Sequence, residues 1–112
     1  MSEVLIKNVE HAAPFELINL VEYETGKIVS LTLAQEKGTG ITVFAFDAEE
    51  KISTHAASGD AMAVILEGEA EITIDGKKYI AKTGEGIVMP AGIPHGVKAI
   101  TRFKMLLTVV KR

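Results

Sequence analysis

The chain of 112 residues has no cysteine and no tryptophan, three prolines and 5% aromatic residues. The missing cysteine excludes disulfide staples, thiolate metal sites, zinc ribbons and a cysteine nucleophile. Its three histidines are the only imidazole donors, so metal chemistry has little to draw on. No stretch approaches the roughly 20 apolar residues of a membrane span. The start, Met1-Ser-Glu-Val-Leu-Ile-Lys7, lacks the basic opening and long apolar core of a secretory leader. A net charge of −3 argues against nonspecific nucleic-acid binding. No acidic residue follows Glu85, whereas Lys98, Arg102, Lys104, Lys111 and Arg112 do. A solvated strand face is the simplest reading of that basic excess. These absences describe a soluble, cytoplasmic protein with no nucleic-acid or membrane partner.

What is present describes one folded domain. The hydrophobic fraction of 47% is that of a globular chain. No linker, repeat or low-complexity stretch divides residues 1–112, so a single domain is expected. Ten glycines, most of them after residue 37, punctuate short runs rich in Ile, Val, Thr and Phe. The runs are Lys27 to Ala34, Ile41 to Phe46, Ala61 to Glu67, Ala70 to Ile74, Lys78 to Ala81, Gly86 to Met89 and Phe103 to Val110. Such spacing predicts an all-β sandwich or barrel.

Ala70-Glu-Ile-Thr-Ile74 alternates, and Asp75-Gly76 suits the positive φ angles of a type I′ hairpin turn before Lys77-Lys-Tyr-Ile80 returns. Ala61 to Leu66 and Met105 to Val110 are apolar on both faces. They need cover on both, from a second sheet and from another layer or subunit, which predicts a homodimer. Only Pro14 to Tyr23, with Leu17, Ile18, Leu20 and Val21 at helical spacing, predicts a turn or two of helix.

The stretch Gly84-Glu-Gly-Ile-Val-Met-Pro90-Ala-Gly92-Ile-Pro94-His95 is more specific. Pro90 removes an amide donor and ends a strand, and Gly92 and Pro94 shape a corner that aims His95 at the start of the next strand. The stretch resembles the second cupin motif, G-x5-P-x-G-x2-H-x3-N, with Ala99 in place of the final Asn. The first cupin motif, G-x5-H-x-H-x3-4-E-x6-G, aligns by its end on Gly68. His55 then takes the first histidine position, while Ala57 and Ala61 replace the second His and the Glu. The resemblance covers about residues 27–110. It implies a double-stranded β-helix, a small jelly-roll barrel.

In the cupins this chain resembles, three His and one Glu hold a divalent metal inside the barrel. Here His55 and His95 remain, and the resemblance implies that they face each other inside it. A two-His site is one short of the three protein ligands that zinc and iron centres take. Asp60 precedes the vacant Glu position and points to the opposite strand face unless a bulge turns it inward. Otherwise it is a turn residue bonded to the backbone of Ser58 and Gly59. Gln35 and Met105 are further substitute donors, and His11 reads as a surface residue. The alanines also widen the interior, which predicts a pocket for a small molecule anchored by His55 and His95. The opposing reading is that Met62, Met89, Met105 or Phe103 fills the space. The first expectation is therefore a small-molecule-binding cupin with a degenerate metal site, in which Zn, Ni, Mn or Fe is held weakly if at all. The alternative is a metal-dependent enzyme of isomerase or dioxygenase type, with His55, His95 and water or Asp60 as ligands.

Overall fold

The computed structural model describes residues 4–112. Nine strands follow a 3-10 turn at Leu17–Asn19: β1 (Ile28–Glu36), β2 (Thr39–Phe46), β3 (Lys51–His55), β4 (Asp60–Glu67), β5 (Glu69–Ile74), β6 (Lys77–Lys82), β7 (Gly86–Met89), β8 (His95–Ala99) and β9 (Phe103–Val110). They form two antiparallel sheets, β1-β2-β9-β4-β7 and β3-β8-β5-β6, stacked as the barrel expected from the motifs. All seven expected strands are present to within two residues at each end. Two further strands complete the set: β8, which starts at His95 after the expected corner, and β3, which no apolar run announces because only Ile52 of its five residues is apolar.

The tight turns use the expected chemistry. Asp75 (φ 50°) and Gly76 (φ 80°) join β5 to β6, with the register Ile74↔Lys77 that a two-residue loop requires. Gly68, at φ 84°, links β4 to β5 where a Cβ would run into the Arg102 carbonyl oxygen, so only glycine fits.

The main core lies between the sheets. Inward residues alternate along each strand, as Ala61, Ala63 and Ile65 do on β4 and Ala70 and Ile72 on β5. Phe46, the last residue of β2, stacks on Phe103, the first of β9, with centroids 4.6 Å apart. Their rings are fully buried and close this end of the barrel. Each contributes about 1.5–3 kcal/mol by leaving water.

A second, smaller core lies outside the larger sheet, where Val21, Leu33, Val43 and Ala45 are buried against Leu17, Leu20, Leu66 and Leu106. The segment before β1 is therefore the layer that part of the doubly apolar β4 and β9 needed. Its helical content is the single 3-10 turn at Leu17–Asn19, within the turn or two expected. Lys104, expected on a solvated face, is buried beneath this segment. Its Nζ donates to the Ile18 carbonyl and lies 5.0 Å from the Tyr23 ring centre. The Tyr23 hydroxyl in turn donates to Glu67 Oε2 at 2.8 Å. Farther along the same outer face, Met62, Val88 and Val110 stay exposed. No helix among the described residues is long and apolar enough to cross a membrane.

Candidate functional site: a histidine pair at one end of the barrel

The candidate site lies at the end opposite the stacked phenylalanines. Here lie the last residue of β3, His55, the first of β8, His95, and the last of β5, Ile74. His55 and His95 are cross-strand partners, and His95 pairs on its other side with Ile74. The imidazole centroids are 4.5 Å apart at 61°, an edge-to-face arrangement. His95 is 4% exposed and His55 is open to solvent. One imidazole is thus part of the wall and the other forms its rim.

A bulge makes this pairing. Ile52 pairs with Val97, yet the next pair is His55 with His95, so β3 advances three residues while β8 advances two. Val97 and His95 share the inward face by simple alternation. Without the extra residue, an odd step from Ile52 would turn His55 outward. The bulge returns it to the inner face.

Both rings are held in the same way. His55 Nδ1 is 3.1 Å from the Ser53 carbonyl oxygen, and His95 Nδ1 is 3.1 Å from that of Ile93. A carbonyl can only accept, so each Nδ1 carries a proton, and the neutral form of each ring has its lone pair on Nε2. This is the orientation that histidines ligating a metal adopt. The site therefore offers two acceptor nitrogens beside each other.

The other motif positions add no donor. Ala57 lies in the loop after β3, and its carbonyl accepts from Gly92 N at 2.7 Å. Ala61 is buried directly beside Met89 on the neighbouring strand. Met89, Met105 and Phe103 are all buried in the core with Ala61 and Ala63, so the expected deep interior pocket is filled instead. Met62 takes no part, since it lies on the outer face at 44% exposure. Among the described residues, no three His, Asp or Glu side chains are grouped closely enough to hold a metal. Two imidazoles do not fit a resident metal cofactor, which needs a third protein ligand.

Asp60 is not brought to the pair. The register of β4 against β9 runs unbroken from Asp60 to Ile65, so the bulge that would turn it inward is missing there. Its Oδ1 accepts instead from Ala91 N at 2.8 Å. The bond is not the local one to Ser58 and Gly59 but a tie across to the Pro90–Pro94 corner that precedes His95. Met105 lies two residues from Phe103, toward the closed end, and is 1% exposed. Gln35 borders a separate hollow of about 170 Å³ with Thr39, Thr42, Leu107 and Val109. His11 is exposed, and its Nε2 donates to the Ile6 carbonyl at 2.6 Å.

Known proteins share this architecture. A family model described as a cupin domain matches residues 42–111. A conserved protein of unknown function from Streptococcus pyogenes is 48% identical over 100% of this chain and 96% of its own, with a TM-score of 0.95. A cupin superfamily protein from Desulfitobacterium hafniense is 32% identical over 96% of this chain and 98% of its own, with a TM-score of 0.91. A cupin 2 conserved barrel domain protein from Leptotrichia buccalis is 44% identical, with a TM-score of 0.85 over 87% of this chain and 47% of its own. No curated protein matches. The antiparallel double-sheet barrel, the two motifs that meet at His55 and His95, and the family match over residues 42–111 together place this chain in the cupin superfamily.

Proposed function

We propose that this chain binds a small polar molecule at the histidine end of the barrel, with His55 and His95 as its anchors. The observation that carries this reading is the pair of Nε2 lone pairs, held in place by the Ser53 and Ile93 carbonyls. Two neutral imidazoles accept hydrogen bonds from hydroxyl, amide or ammonium groups. Ile74 and Ile52 beside them supply apolar wall. Because the interior behind Ala61 is packed, the ligand is held at the rim rather than swallowed. A divalent ion such as Zn, Ni, Mn or Fe has only these two nitrogens to hold it. Water or the ligand's own oxygens complete its shell, and it exchanges readily.

The metal-dependent isomerase or dioxygenase reading rests on the same ring orientation, and metal content separates the two. Protein produced in medium containing Ni, Zn, Mn and Fe is expected to carry less than one metal per chain, lost on dialysis against chelator. A His55→Ala, His95→Ala variant should carry none. One tight metal per chain that survives the chelator would overturn the binding-protein reading in favour of the enzyme. Metal retained by the double variant would move the site elsewhere.

A further inference from the structure

The outer face of the smaller sheet carries a second polar hollow, on the side away from the histidine pair. Gly96 lies at its floor, where the absent side chain leaves room for β3 to come close. A Cβ placed there would sit 3.2 Å from Thr54 Oγ1 and 3.3 Å from Thr54 N. The bulge in β3 that aims His55 inward therefore pushes Thr54 over this floor.

The borders follow from the register. Gly96 pairs with Thr73, and Thr73 with Lys78. One step along the same face, Lys98 pairs with Lys51 on one side and with Glu71 on the other. Ile72 and Val97 are buried between the sheets, so these alternating neighbours all face outward. The groove they form is about 380 Å³. Three ammonium groups and the hydroxyls of Ser53, Thr54 and Thr73 thus surround it, against the single lining carboxylate of Glu71.

The charge arrangement is unfavourable without a guest. Lys51 and Lys98 are direct cross-strand partners, and like charges in that relation repel. Lys98 is 3.6 Å from Glu49 in an exposed ion pair, and the exposed Lys78 is 3.8 Å from the half-buried Glu71; pairs this long contribute little. Lys51 has no ion-pair partner among the described residues.

We propose that this groove binds the phosphate group of a small molecule. The three lysines come from three strands, β3, β6 and β8, and lysine is a point-charge partner for phosphate. The hydroxyls complete the set of donors. The groove is in the size range of small-molecule sites and leaves room for a substituent on the phosphate. The site does not depend on the reading of the histidine pair, which faces the other side of the sheet.

The test is titration of the intact protein with inorganic phosphate and with a simple alkyl phosphomonoester, followed by amide NMR at constant ionic strength set with chloride. Saturable shifts are expected at Thr54, Gly96, Thr73 and Lys98, with little change at Ala61 or Val109. If the natural source is a phosphorylated small molecule, the ester binds at least as tightly as phosphate. Weaker binding of the ester overturns that part and leaves free phosphate as the ligand. Lys51→Gln with Lys98→Gln should raise the half-saturation concentration at least tenfold, and Lys78→Gln alone several-fold, without altering the fold. Non-saturating shifts, shifts that chloride reproduces, or a change below twofold in the Lys51→Gln, Lys98→Gln variant would overturn the proposal.

Discussion

His55 stands across from His95 because β3 spends one more residue than β8 between their two pairings, Ile52↔Val97 and His55↔His95. The Ser53 carbonyl that fixes the His55 ring belongs to that same irregular stretch. The bulge therefore selects both the face that His55 occupies and the nitrogen it presents.

Deletion of Thr54 tests this. β3 is an edge strand, so a regular ladder can re-form along it at little cost. The variant is expected to stay folded, within about 1 kcal/mol of the parent, as for substitutions away from a core. Its His55 ring should face outward. Binding of Co²⁺, monitored through the His95 ring resonances, should fall to the level of His55→Ala.

Asp60 ties down the corner that precedes His95. Asp60→Ala removes the acceptor of the Ala91 amide. A loss of about 1 kcal/mol in stability is expected, the net value of one such bond. Faster hydrogen exchange at Ala91 and Gly92 than at β5 amides would locate the loosening. The Asp60→Asn variant, which keeps an acceptor oxygen, should recover most of it. Equal loosening along the whole chain would show that Asp60 has only a general structural role.

Alkaline stability depends on Tyr23. Its phenol is pushed well above the usual tyrosine range, first by burial, then by its bond to Glu67 and the negative charge there, with Arg102 opposing. The folded state therefore favours the protonated phenol. Stability is fully present below the unfolded value of about 10, and is lost as pH rises from there toward the higher folded value. Denaturant midpoints for the parent should fall between about pH 10 and 12. Tyr23→Phe should flatten this decline and be less stable at neutral pH, since Glu67 loses the hydroxyl that donates to it, while the ring beside the Lys104 ammonium is kept.

The exposed outer-face residues Met62, Val88 and Val110 extend the surface that the segment before β1 covers only in part. Met62 and Val88 are direct partners, so they form one apolar row. We expect a second copy to cover this row, giving the homodimer. Met62→Glu places a charge in the middle of it. Sedimentation should show a dimer for the parent at micromolar concentration and a monomer for the variant. A monomeric parent would contradict the pairing.

The strands with alternating or doubly apolar runs, and the Asp75-Gly76 turn, were legible because side-chain period and turn geometry are local properties. His55 and His95 were legible as a pair through motif spacing alone. The bulge was not, since Lys51-Ile-Ser-Thr-His55 carries little hydrophobic pattern and an extra residue in a strand has no composition of its own. The filling of the interior was also hidden. Whether Met89 or Met62 occupies the space beside alanine depends on which face each strand turns inward, and that is settled by pairing. Lys104 shows the same limit, because its cover is supplied by a segment more than eighty positions away, at Ile18.

The two Nε2 lone pairs are the groups through which His55 and His95 would hold a ligand. Long-range ¹⁵N NMR of the imidazoles, at a pH where both rings are neutral, reads them. Both rings are predicted to be in the Nδ1–H form, with the two Nε2 resonances moving together on addition of Zn²⁺. An Nε2–H form at either ring, or a zinc response at only one of them, would contradict a paired histidine site.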